Sequence, residues 1–174
     1  LDGHLLPGLE PKGVPRNLIG STIPFNYNDI ESLEKVISEH DIGIIKMEVS
    51  RSFGPEKDYL ENVRSIASKN NIILIFDECT SGFRETFGGL HLKYNVEPDL
   101  MMLGKTLGNG YAITSVVGKK DVMKSAEETF ISSTFWTERI GPSAALKTIE
   151  IMEKKQSWKI ITEIGISIGK RWKA

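Results

Sequence analysis

Two short apolar segments of this chain each lead directly into a charged side chain. Residues 72–76, with the sequence IILIF, are followed by Asp77. Residues 100–103, with the sequence LMML, are followed by Gly104 and Lys105. Such runs are typical of buried strands in a parallel sheet, and functional groups of open α/β sheets lie just past the carboxyl ends of the strands. We therefore expect Asp77 and Lys105 to lie at the same edge of a sheet.

Helical and strand patterns alternate along the rest of the chain. A helix is predicted from about residue 29 to 40, capped by Asn28 with Glu31 three positions later, and the remaining helices are predicted at 56–70, 90–94, 119–126, 138–156 and from Ser157 onward. Apolar runs predict strands at 43–49, 72–77, 99–103 and 112–117. Strands that alternate with helices imply right-handed crossovers. The predicted fold class is therefore α/β, with a mostly parallel sheet flanked by helices.

The composition excludes several classes of protein. With 40% hydrophobic and 26% charged residues and a formal net charge of −1, the chain has a globular composition and no basic footprint for nucleic acid. No apolar run approaches the roughly 18 residues of a membrane span, and no leader peptide is visible. The single Cys79 cannot form an internal disulfide, which favours a reducing, cytoplasmic setting.

Both ends of the sequence suggest a piece of a larger protein. The chain begins at Leu1 rather than Met, with a stretch rich in glycine and proline, and it stops inside a predicted helix. We expect an irregular leading segment at residues 1–27, part of a main domain at 28–156, and the start of a helix that leads toward a further domain at 157–174.

One interpretation of the central stretch is nucleotide hydrolysis by a Walker-type ATPase. The segment ending in Asp77 and Glu78 has the pattern of a Walker B strand, and residues 104–106 match the end of a phosphate-binding loop. Such a loop needs a glycine five positions before its second glycine, and Asp99 occupies that position. The lysine also follows the acidic strand, whereas the phosphate loop normally precedes it. Both observations disfavour this interpretation.

The second interpretation is a pyridoxal phosphate site. This cofactor needs an amine that forms a Schiff base with it, and a carboxylate beside the pyridine nitrogen that keeps the nitrogen protonated. Lys105 and Asp77 supply these two groups. The spacing alone is a weak signal, because a lysine after a glycine is often an exposed loop residue and an aspartate at a strand end is often a helix cap.

The residues around this pair resemble the class III aminotransferases, and most closely the branch that includes glutamate-1-semialdehyde aminomutase. The matching stretches occur in family order and are residues 74–84 (LIFDECTSGFR), 96–100 (VEPDL), 103–110 (LGKTLGNG) and 132–135 (SSTF). The resemblance implies that residues 28–156 are part of the large domain of a fold-type I pyridoxal phosphate enzyme. It also implies a cytoplasmic homodimer acting on small amino and carbonyl substrates, as a transaminase or an aminomutase.

The resemblance also implies roles for individual residues. Lys105 is expected to hold the cofactor and to move protons between substrate and cofactor, and Asp77 to contact the pyridine nitrogen. Cys79 stands where the family usually has Val or Ile against one face of the ring, and as a small soft hydrophobe it fills that place less fully. Thr134 is expected to bind the cofactor phosphate of the neighbouring subunit, although Ser133 replaces the usual glycine before it.

Other chemistry-bearing residues receive simpler interpretations. His4, His40 and His91 are isolated from any metal-ligand spacing and are interpreted as surface or helix-end residues, and no metal site is predicted. Lys119, Lys120, Lys154 and Lys155 are interpreted as solvated helix charges. The phosphate turn and the ring-stacking aromatic of the family are expected outside the chain. The chain alone is therefore expected to be inactive, and a non-catalytic remnant or association domain is the alternative.

Overall fold

The computed structural model describes residues 10, 12–132, 134–135 and 137–173. The chain divides into two compact units, Leu1–Ile42 and Gly43–Ala174. The described residues of the first unit include a short 3₁₀ helix and the α-helix α1 (Ile30–Glu39). The side chain of Asp29 caps this helix by accepting a hydrogen bond from the backbone N–H of Ser32 at 2.9 Å. The helix is therefore where the sequence predicts it, but its cap is one residue later than Asn28.

The second unit is built on a four-stranded sheet. Its strands are β1 (Ile44–Glu48), β2 (Ile73–Asp77), β3 (Leu100–Leu103) and β4 (Ser115–Gly118), and they lie side by side in that order. The first three strands are parallel, and β4 is antiparallel to β3. The mostly parallel sheet predicted from the alternating pattern is confirmed. The last strand begins later than its predicted start at residue 112, because a turn occupies residues 108–111 and the pairing with β3 begins only at Ser115, opposite Leu103.

Five α-helices are found among the described residues. Besides α1 they are α2 (Tyr59–Lys69), α3 (Lys120–Met123), α4 (Ile140–Lys155) and α5 (Ser157–Trp172). Helices α4 and α5 are separated by Gln156, which adopts a left-handed backbone with φ of 48°. The short helix predicted at residues 90–94 is present as a 3₁₀ helix, Leu90–Lys93. None of the helices in the described ranges has the length and apolarity that crossing a bilayer requires.

The core of this unit follows from the alternation of the strands. The buried positions on β1 and β2 are Ile45, Met47, Leu74 and Phe76. Helix α2, which packs against β2, buries Tyr59, Leu60, Val63 and Ala67 at helical spacing. A second cluster joins β3 and its following turn to α4 through Phe83, Leu103, Leu107, Ala145 and Met152. This packing fixes the positions of the residues that follow β2 and β3.

Asp99 ties the amino-terminal edge of the sheet together. Its carboxylate accepts hydrogen bonds from Arg64 Nη1 at 2.8 Å, Lys119 Nζ at 2.7 Å and the backbone N–H of Leu74 at 2.8 Å. The interpretation of Lys119 as a simply solvated charge is therefore wrong, because its ammonium pairs with a buried carboxylate. Burial raises the pKa of Asp99, but these three hydrogen bonds together with the charge of Arg64 outweigh burial and lower the pKa to about 2.

Candidate functional site

Asp77 is the last residue of β2 and lies at the carboxyl edge of the sheet, as the sequence predicts. Its side chain is 22% exposed. One carboxylate oxygen, Oδ1, accepts the backbone N–H of Cys79 at 3.2 Å, and the other, Oδ2, accepts Lys46 Nζ at 2.7 Å. Burial raises the pKa of Asp77, but the hydrogen bonds from Lys46 and Cys79 lower it below its ordinary value. Asp77 is therefore a fixed, ionised carboxylate.

Lys105 follows the end of the neighbouring strand, β3, and begins a 3₁₀ turn, Lys105–Leu107. Its backbone is left-handed, with φ of 42°. Its ammonium donates a hydrogen bond to Thr80 Oγ1 at 2.9 Å. Because Thr80 lies three residues after Asp77, this bond draws the amine toward the turn that follows β2.

The turn after β2 brings Cys79 close to both charged groups. A Cβ placed on Gly104 would lie 3.3 Å from Cys79 Sγ, so the residue that precedes Lys105 packs directly against the thiol. Burial and the Asp77 carboxylate raise the pKa of the thiol, and the positive charges of Lys105 and Lys46 oppose this effect. The structure thus brings three of the four predicted site residues together: Asp77, Cys79 and Lys105.

Thr134 is not joined to this group by any contact within the described part of the chain. Its side chain is exposed. Ser133, which stands where the family usually has glycine, lies outside the described residues. The role of Thr134 in phosphate binding therefore stays a prediction that depends on a second subunit.

Sequence reasoning missed two residues of this group, Lys46 and Thr80. Lys46 is the middle residue of β1, and its side chain is 52% exposed. A lysine within the otherwise apolar strand sequence Ile44-Ile45-Lys46-Met47 was the available signal, but only the register of β1 on β2 shows that it reaches Asp77. Thr80 carried no local signal, since threonine is ordinary in a loop.

A buried polar cluster holds the long connection between β2 and β3. Glu78 is fully buried, and its carboxylate accepts hydrogen bonds from the Ser81 hydroxyl, the backbone N–H of Leu90 at 2.9 Å, and both the backbone N–H and Nδ1 of His91 at 3.0 and 2.9 Å. Burial raises the pKa of Glu78, but these donors lower it below its ordinary value. Of the two interpretations given for His91, a surface residue is wrong because its imidazole is buried against Glu78, whereas a place at a helix end agrees with the 3₁₀ helix Leu90–Lys93.

An open cleft of about 1200 Å³ borders Lys105 on the side of α4 and α5. Polar side chains from several elements line it, and these include Arg84, Thr106, Asn109, Lys147 and Thr148. The cleft is large enough for a small organic molecule and places cationic side chains near Lys105. Chemically, the site offers an ionised carboxylate, an amine and a thiol at one sheet edge, with an adjoining cleft whose lining is mostly apolar.

Comparisons with known proteins show which family of sequences the chain resembles. A family model described as aminotransferase class-III matches residues 26–173. The chain is 38% identical over 166 residues to a 3-aminobutyryl-CoA aminotransferase of Cloacimonas acidaminovorans, a match that covers 90% of this chain and 40% of the relative. It is 39% identical over 150 residues to a glutamate-1-semialdehyde 2,1-aminomutase of Sulfolobus acidocaldarius, which covers 82% of this chain and 36% of that protein. The chain thus spans about two fifths of the length of these relatives.

Several solved structures share the fold of the chain. The pyridoxal phosphate internal aldimine form of the FumI protein from a Sphingopyxis species matches with a TM-score of 0.70 and 25% identity, over 74% of this chain and 33% of that one. An ornithine aminotransferase from Plasmodium yoelii matches with a TM-score of 0.68 and 26% identity, over 75% and 36%. The predicted fold, part of a fold-type I pyridoxal phosphate enzyme, is confirmed, and the chain belongs to the class-III aminotransferase family.

Proposed function

We propose that this chain supplies the lysine and the ring-nitrogen carboxylate of a pyridoxal phosphate site in an enzyme that moves amino groups. One observation carries the proposal: the amine of Lys105 is hydrogen-bonded to Thr80, three residues after the ionised Asp77. An amine and a carboxylate at adjacent strand ends are the two protein groups that this cofactor requires. Membership of the class-III aminotransferase family supports the same chemistry.

The donors and acceptors present fit the cofactor. The Asp77 carboxylate accepts hydrogen bonds from Lys46, the Cys79 backbone N–H and the Cys79 thiol, and because its two oxygens offer about four lone-pair sites it can also accept a pyridine N–H. The amine of Lys105 is held by a hydroxyl rather than by a carboxylate, so no strong ion pair has to break before it reacts. The small thiol of Cys79 packs against Gly104, the residue before Lys105, and belongs to the same turn as Asp77 and Thr80.

Each residue then has a defined task. Pyridoxal phosphate, when bound, supplies a ring that accepts electrons from a substrate carbon. Lys105 would hold the cofactor through its amine and carry protons at Nζ, and the Thr80 hydroxyl accepts a hydrogen bond from that nitrogen and so orients it. Asp77 would keep the ring nitrogen protonated, and Cys79 would face the ring. Thr134 of a second subunit would bind the phosphate.

The reaction class is amino-group transfer between small amino and carbonyl compounds, or movement of an amino group within one molecule. The names of the two relatives above favour one outcome each, because one is an aminotransferase and the other an aminomutase. We propose a homodimer for the complete protein, supported by the family resemblance, and a cytoplasmic setting, which the single cysteine of this chain favours. An activity assay distinguishes the two reactions, and it uses the protein with any sequence that flanks the chain in its gene. The protein is supplied first with glutamate-1-semialdehyde alone and then with a separate amino donor and carbonyl acceptor.

The covalent role of Lys105 is tested by incubation with pyridoxal phosphate, borohydride reduction and peptide mass spectrometry. The wild-type protein is expected to carry the reduced cofactor on the Lys105 peptide, and Lys105→Ala to lose it. Lys147→Ala is the matched control, because Lys147 also borders the cleft but pairs with Glu150 at 2.7 Å. Labelling that is spread equally over surface lysines would contradict the proposal. Stable, Lys105-dependent binding by the chain alone would contradict the expectation that it is inactive by itself.

A further inference from the structure

Lys46 holds the carboxylate that the cofactor would use. Lys46 lies on the same face of the sheet as Asp77, two positions before Glu48, which is the register partner of Asp77. Its side chain crosses diagonally to the neighbouring strand, and its ammonium donates to Asp77 Oδ2 at 2.7 Å. The carboxylate is mostly covered at 22% exposure, whereas Lys46 is 52% exposed. A cation is thus already bound to Asp77 through one of its two oxygens.

Among the described residues, the two register partners of Asp77 do not offset this cation, because one is apolar and the other already has a cationic partner. The register partner of Asp77 on β3, Met102, is apolar. Glu48, opposite Asp77 on β1, has its own ion pair with Arg51 at 3.1 Å. Cys79 lies on the turn after Asp77, and burial together with the Asp77 charge raises the pKa of its thiol. The net charge of the Lys46 and Asp77 pair is therefore close to zero.

A pyridine nitrogen that approaches this pair meets a carboxylate shared with an ammonium. The carboxylate has room for both donors, but the two cations repel each other across it. Like charges disfavour the charged form of each group, so the ammonium opposes protonation of the ring. We propose that Lys46 is a positioning residue that shares Asp77 with the ring nitrogen of pyridoxal phosphate and weakens protonation of that nitrogen. This inference rests on the proposed function.

The consequence is a cofactor ring that withdraws electrons less strongly than one with a carboxylate of its own. Lys46 also fixes the carboxylate rotamer together with the backbone N–H of Cys79. Removing only the charge of Lys46 should therefore strengthen the contact between Asp77 and the ring rather than weaken it. A residue with a purely structural role would give the opposite result.

The experiment compares Lys46→Met and Lys46→Arg in the protein with its flanking sequence, loaded with pyridoxal phosphate labelled with ¹⁵N in the ring. The pH midpoint of ring-nitrogen protonation, read by NMR, is expected to rise by about one pH unit in Lys46→Met, and the cofactor dissociation constant at pH 8 to fall by about 3- to 10-fold. Lys46→Arg keeps the charge and should keep wild-type values. Lys154→Met, an exposed change on α4, is the control.

An unchanged or lower midpoint in Lys46→Met, or weaker cofactor binding, would overturn the inference while leaving the proposed function intact. Failure of the wild-type protein to bind the cofactor at Lys105 would overturn both. A second readout uses the cofactor-free chain, in which the titration midpoint of the Asp77 carboxyl, followed by ¹³C NMR, should rise in Lys46→Met and stay unchanged in Lys154→Met. Equal midpoints in the two variants would show that the ion pair does not form.

Discussion

Replacing Asp99 by Asn should destabilise the chain strongly at neutral pH and less at acid pH. The carboxylate accepts three hydrogen bonds, from Arg64, Lys119 and the Leu74 backbone, and only 12% of its side chain is exposed. A pKa of about 2 instead of 3.8 corresponds to about 2 kcal/mol of stability at pH 7. Asn also leaves the guanidinium of Arg64, 20% exposed, without a charged partner. The expected loss for Asp99→Asn at pH 7 is about 3 kcal/mol.

The sign of the pH dependence follows from the lowered pKa. Because the unfolded chain binds a proton at Asp99 before the folded chain does, the stabilisation is complete above about pH 5 and is lost as the pH falls toward 2. By pH 3, about 1 kcal/mol of it should be gone from the wild-type chain, whereas Asn has no proton to bind. The difference in stability between the two chains should narrow by that amount.

Urea unfolding followed by circular dichroism at pH 7 and pH 3 measures both quantities. Asp121→Asn is the matched control, because that carboxylate is 91% exposed and its pair with Lys124 should contribute under about 0.5 kcal/mol. The reasoning is refuted if Asp99→Asn loses less than about 1 kcal/mol at pH 7, or if its deficit is the same at both pH values.

Two further predictions concern the loop after β2 and the junction of the last two helices. Glu78→Gln should lower the free energy of unfolding by about 2 to 4 kcal/mol, because an amide nitrogen cannot accept the hydrogen bonds that one carboxylate oxygen takes from Leu90 or His91. Faster hydrogen exchange at the backbone amides of Leu90 and His91 checks this. The substitution Glu85→Gln, at an exposed carboxylate, is the control. Gln156→Gly should stabilise the chain by about 0.5 to 1 kcal/mol in urea unfolding, because the left-handed backbone at φ 48° suits glycine; equal or lower stability than wild type would speak against it.

The sheet and its site edge could be predicted because their signals are local. Each apolar run on β2 and β3 is bounded by polar or glycine residues, so both the strands and the positions of Asp77 and Lys105 follow from the sequence. The helical period of α2 likewise identifies the side chains that this helix buries.

The contacts that surround these groups could not be predicted, because they are non-local. The reach of Lys46 to Asp77 depends on the register between two strands, and the burial of His91 depends on how a long connection folds back onto Glu78. A lysine within an apolar strand indicates that its charge needs a partner, but the sequence does not identify that partner without the strand register. The role of Thr134 stays a prediction, since no described contact tests it.

Strand β2 separates two carboxylates with different tasks. The Asp99 carboxylate accepts a hydrogen bond from the backbone N–H of Leu74, near the start of the strand, and Asp77 is the last residue of the strand. Leu74 and Asp77 are about 10 Å apart along the strand. That distance is comparable to the screening length in 0.1 M salt, and the two carboxylates share no hydrogen-bonding partner among the described residues. Substitutions at the two ends should therefore combine additively. Charged residues at the site edge can therefore be replaced, by design or during evolution, without loss of the Asp99 hydrogen bonds that stabilise the other end of the sheet.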